Sequence, residues 1–225
     1  MAKVFEMTNV EQKAISIKQE IEKEFKEHNE QELEAAFDEF RKDKRALSFI
    51  EYYNKTVLDK ERINFGQFKK QWAIQGMKKE VISYFDENSD KLKEEIASEK
   101  NIQKFFETHC CKVRKEASFC SKLFHTFLPA EFPPVDNPTK KNFHLQKEDF
   151  IKSVLIIKRG YELFVKENAN LIKLIRKILS KPKFAYLRAG ELSNIRILDM
   201  YYWFKLNRLE KLRQQGAKWR TEAQL

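Results

Sequence analysis

The sequence predicts an all-α protein of about eleven helices, arranged as two packed helical lobes with a cleft between them. Three observations lead there. Helix breakers are scarce, with five Gly and five Pro in 225 residues. Apolar residues recur at three- and four-residue spacing between charged ones, the pattern of amphipathic helices. Four of the five prolines crowd between Pro129 and Pro138, so a single turn interrupts an otherwise helical text.

Each element follows from its stripe and its punctuation. Thr8-Asn9 reads as the cap of a first helix whose stripe is Val10, Ala14, Ile17, Ile21 and Phe25. A second helix carries Leu33, Ala36, Phe37 and Phe40, and a third carries Leu47, Ile50, Tyr53 and Val57. Gly66 and Gly76 bound a short helix around Trp72. Two more helices follow, the later one capped by Ser89 or Asp90, and Asn101 opens the next. Glu116 to Phe127 is amphipathic, with Phe119, Leu123 and Phe127 on one face, and Pro129 ends it. Beyond the turn, Pro138 suits the first helical position, which places Asp136 or Asn137 at the N-cap. Lys147 to Lys166 forms a long helix in which Gly160 marks a close helix crossing. Asn168 leads into a helix that Pro182 ends, and Ser193 caps the last one.

Charge divides the chain. Residues 1–100 carry 19 Lys/Arg against 22 Asp/Glu, whereas residues 101–225 carry 25 against 12. A scaffold lobe over 1–110 and a basic lobe over 111–225 are therefore expected, the second facing a polyanion, with nucleic acid ahead of an ordinary solvated surface. The three cysteines imply no disulfide framework and point to a reducing, cytoplasmic compartment. The N-terminus has no apolar signal core, and the longest apolar runs are too short to span a membrane.

Nucleotide-binding loops, zinc-protease helices and serine-hydrolase elbows have no counterpart here, since none of their motifs occurs. His109, Cys110, Cys111, Cys120 and His125 match no zinc spacing and read as core residues, so no metal is expected. No cofactor is called for either. Lys115 and Asp136 are the pair with chemical potential. A lysine at a helix start meets the positive end of the dipole, which eases loss of its proton and favours nucleophilic use. A carboxylate at the next helix start is held ionised by backbone N–H groups, able to stabilise a developing cation or steer a water. The plainer alternative is an N-cap acid and a surface lysine.

Lys115–Leu145 resembles the helix-hairpin-helix DNA glycosylase superfamily, which includes endonuclease III and 8-oxoguanine glycosylase. Lys115-Glu116-Ala117 matches the family's Lys-x-Ala helix start, and Pro133-Pro134-Val135-Asp136 its Pro-x-Val-Asp turn. The resemblance implies a catalytic aspartate at Asp136 and a Schiff-base lysine at Lys115. His109 to Arg114 stands where that family has a glycine-rich hairpin, so this chain would be a divergent member. Lys112, Arg114, Lys140 and Lys141 would then make the phosphate contacts electrostatically. Phe119, His125, Phe132 and Tyr161 would line the pocket for a flipped base. The function so implied is DNA binding with base flipping and N-glycosidic cleavage, with or without lyase activity. The alternative is a non-catalytic basic helical module that binds nucleic acid or an acidic protein.

Overall fold

A computed structural model describes residues 2–27, 29–74, 77–110 and 117–203, and of residues 2–8, 36, 39 and 40 the backbone alone. Among the described residues there is no strand, and the all-α reading holds. Helix α1 spans Ala2–Lys26 and α2 spans Glu30–Asp38. Next come α3 (Lys44–Tyr53), which runs on into a wider turn over Asn54–Leu58, and α4 (Phe65–Gln71). Helices α5 (Lys79–Glu87), α6 (Ser89–Glu99) and α7 (Ile102–Phe105) complete the first half, α7 widening over Phe106–Cys110. Helix α8 (Ala117–Phe127) leads to the proline turn, and α9 (Asn137–Asn142) leaves it. Helices α10 (Phe150–Glu167) and α11 (Ala169–Leu179) precede a tight 3-10 turn at Pro182–Leu187. The chain is helical again over 194–203, here α12.

Capping chemistry explains most of these starts. Asp43, Asn64, Asn101, Asp136 and Asp149 each accept a backbone N–H one to three residues into the helix that follows. Ser193 does the same for Arg196 at 3.0 Å. Thr8-Asn9 is not a cap. Helix α1 is already helical from Ala2, and Asn9 Oδ1 finds no hydrogen-bond partner among the described residues. The apolar stripe from Val10 onward is real, but a stripe shows where a helix is buried and not where it begins.

The core is continuous across position 110. One cluster of buried residues runs from Ile17 to Tyr202. Helix α1 lays its stripe on α10, and their backbones meet closely at Gly160. A β-carbon there would stand 2.7 Å from Ile17 Cγ2 and 3.1 Å from Ala14 O, so only hydrogen fits. Helix α8 lies in the middle of this core with Phe119, Cys120, Leu123 and Phe124 fully buried. That central position is what places the proline turn against the interior.

Candidate functional site

The turn after α8 is laced to α8 by a polar column. Ser118, Ser121 and His125 recur at helical spacing on the face toward the turn. Val135 N–H donates to Ser121 Oγ at 2.7 Å, and Ser121 Oγ in turn reaches Pro133 O at 3.4 Å. Ser118 Oγ makes a longer contact to Val135 O at 3.5 Å. His125 Nδ1 donates to Phe132 O at 2.6 Å, and because a carbonyl only accepts, Nδ1 holds the proton. Nε2 is then free to accept from Tyr53 Oη at 3.0 Å. Within the turn Glu131 and Phe132 both donate their N–H to Leu128 O, the prolines have no N–H to give, and this column supplies further partners. At its far end Ser193 Oγ donates to Pro129 O at 2.6 Å, which ties the turn to α12.

Asp136 caps α9. Its Oδ1 accepts from Thr139 N at 2.9 Å and from Thr139 Oγ1 at 2.7 Å, with Pro138 in the first turn where its absent N–H costs nothing. Of the two N-cap candidates in the sequence, Asp136 is the cap. Lys115, Lys112 and Arg114 lie outside the described residues, so the Lys115–Asp136 pairing is not among the described geometry. Lys141 is exposed. Lys140 is not. Only 7% of its surface is accessible, and its ammonium donates to Glu148 O at 2.7 Å above the Phe150 ring.

The four residues expected to line a base pocket are all core. Phe119, His125 and Tyr161 have no accessible surface and Phe132 has 2%. Phe119 meets Phe65, Phe68 and Phe85, while Phe132 packs edge-on to Phe124. Both ring nitrogens of His125 are taken. Burial, reinforced by the Arg196 charge, pushes its imidazole down to about 3, so it stays neutral.

Beneath the turn lies a buried ionic cluster that the sequence did not single out. Arg196 and Asp199, on α12, pair with each other at 2% and 5% exposure, and the guanidinium lies 4.4 Å over the Tyr53 ring. Lys122, 8% exposed on α8, donates to Trp72 O at 3.0 Å. Burial lowers its pKa, against the opposing pull of Asp136 and Asp199. Burial raises the Asp199 carboxyl to about 7, Arg196 notwithstanding, and Asp136 adds to that rise. Tyr161 Oη is enclosed without a hydrogen-bond partner among the described residues. The signal for this cluster was present as charge in apolar text. Lys122 sits inside SFCSKLFHTF, and Arg196 and Asp199 stand three apart in NIRILDMYYW.

No family model, no curated protein and no solved structure matches this chain. Among the described residues no group of three or more His, Cys, Asp or Glu is placed to hold a metal ion. No helix there is long and apolar enough to cross a membrane.

Proposed function

We propose that the chain binds nucleic acid through its cationic second half, as a non-catalytic helical module. The observation that carries this reading is the charge partition, 25 Lys/Arg against 12 Asp/Glu over residues 101–225 with the opposite balance before them. A polyanion is the partner that such a field recruits. Burial of Phe119, His125, Phe132 and Tyr161 argues against a base-flipping step. A flipped base needs an open slot, and opening one here would break the His125 bonds and empty the core.

The test is a salt titration of binding to duplex and single-stranded DNA, intact and carrying an abasic site. Steep salt dependence with equal affinity for intact and damaged strands is expected. Absence of binding at low salt would remove the reading.

One observation favours a second reading, glycosylase-like chemistry centred on Asp136. Lys122, on α8, feels Asp136 and is pushed toward its neutral, nucleophilic form by burial. Borohydride trapping on abasic DNA separates the two. A covalent adduct lost in Lys122→Arg and in Asp136→Asn would establish the chemistry, and no adduct leaves the binding module.

A further inference from the structure

The first half of the chain, which is slightly acidic overall, holds a small cationic hollow of about 260 Å3 lined by Arg45, Gly66, Lys69, Lys70, Ala73 and Ile74. We propose that it is a binding site for a phosphate group. Its lining has three cations and no acid. Arg45 comes from the first turn of α3, and Lys69 and Lys70 from the last turn of α4, so two rigid helices set the spacing of the charges. Those helices are fixed from behind by Phe49, Phe65, Phe68 and Trp72 in the core.

The groups that would repel an anion here are already engaged. Asp43, beside Arg45, directs Oδ1 at the N–H groups of Arg45 and Ala46 as the α3 cap. The Lys69 and Lys70 carbonyls near the end of α4 are covered as well. Ala73 takes a left-handed conformation, φ 51°, so that its N–H meets Lys70 O at 3.2 Å and Ile74 N–H meets Lys69 O at 2.9 Å. Lys69 donates one of its three ammonium hydrogens to Met77 O at 2.7 Å, which anchors the charge beside the hollow and leaves two donors. Arg45 and Lys70 are exposed and have no ion pair among the described residues. Elsewhere in this half cations do meet carboxylates, Lys18 with Glu22 and Lys55 with Glu51. One guanidinium and two ammonium groups on a single lining supply donors of the kind that the oxygens of a phosphate ester accept from.

Phosphate groups reach such a site as free ions or as the backbone of a strand, and the site stands on its own lining whether or not the second half binds nucleic acid. The test uses the full chain, as wild type, Arg45→Ala/Lys70→Ala and the charge-preserving Arg45→Lys/Lys70→Arg. Inorganic pyrophosphate is titrated by amide NMR, and an oligothymidylate by fluorescence anisotropy at several salt concentrations. Saturable pyrophosphate shifts at residues 45, 66 and 70 are expected, with at least a tenfold loss of affinity in the alanine variant and recovery in the charge-preserving one. A parallel drop of about 1.4 in the salt slope for oligothymidylate, two phosphates' worth, assigns the site to a strand. An unchanged slope assigns it to free phosphate. Pyrophosphate shifts that are absent, or that are the same in the alanine variant, overturn the proposal.

Discussion

His125 and Asp199 share one buried cluster and titrate in opposite senses. The neutral imidazole has a folded pKa of about 3 against an unfolded 6.5. Between those values the unfolded chain holds a proton that the native one refuses, so this contribution is whole above pH 6.5 and is lost as pH falls. Asp199 has a folded pKa of about 7 against 3.8. Its contribution is whole below pH 3.8 and is lost as pH rises through 7. From about pH 4 to 6.5 the two slopes, each about 1.4 kcal/mol per pH unit, cancel. Asp199→Asn removes one of them. Urea denaturation of that variant at pH 4.5, 5.5 and 6.5 is expected to show stability falling with acidity by about 1.4 kcal/mol per unit relative to wild type. Parallel profiles for the two proteins would mean that the Asp199 carboxyl is not held protonated, and a flat profile in the variant would mean that His125 is not held neutral. Sequence reading named His125 for a base pocket and passed over Asp199 and Lys122. The residue types were visible, but burial is set by partners far away in the chain, such as Tyr53 and Trp72, and no local pattern carries it.

At the scale of the element, starts and stops were mostly legible because their chemistry is local. Asn101, Asp136 with Pro138, and Ser193 each bond a backbone N–H within three residues, which is why the sequence showed them. Gly160 was legible for the same reason in reverse, since a glycine inside a strong helical stripe calls for a close neighbour. Gly160→Ala forces a methyl against Ile17 and the Ala14 carbonyl. We expect a loss of about 1–3 kcal/mol in chemical denaturation, the usual cost of overpacking, and a neutral result would mean that α1 can slide on α10. Ala73 was not legible, because nothing local announces its left-handed backbone. Ala73→Gly removes that strain and is expected to stabilise the fold by about 0.5–1 kcal/mol in the same assay. Destabilisation would show that the Ala73 methyl packs usefully.

Whole-molecule organisation was the least legible level. Charge suggested a seam near position 110, because composition changes there, yet the buried residues form one cluster on both sides of it. A stripe tells that a face is covered but not by what, and the partner of α1 turns out to be α10, well over a hundred residues later in the chain. Trp72 from the first half and Trp203 from the second both meet the ring of Phe49. A shared core of this kind couples the halves energetically, since unfolding either one exposes the apolar face of the other. The expectation is a single cooperative transition. In a variant with Trp203 and Trp219 replaced by Phe, the fluorescence of Trp72 reports the first half, while far-UV circular dichroism reports every helix. The two urea midpoints should coincide, and the calorimetric and van't Hoff enthalpies should agree. A Trp72 transition displaced from the helical one would mean that the halves unfold separately, and the charge boundary near position 110 would then also be a boundary of stability.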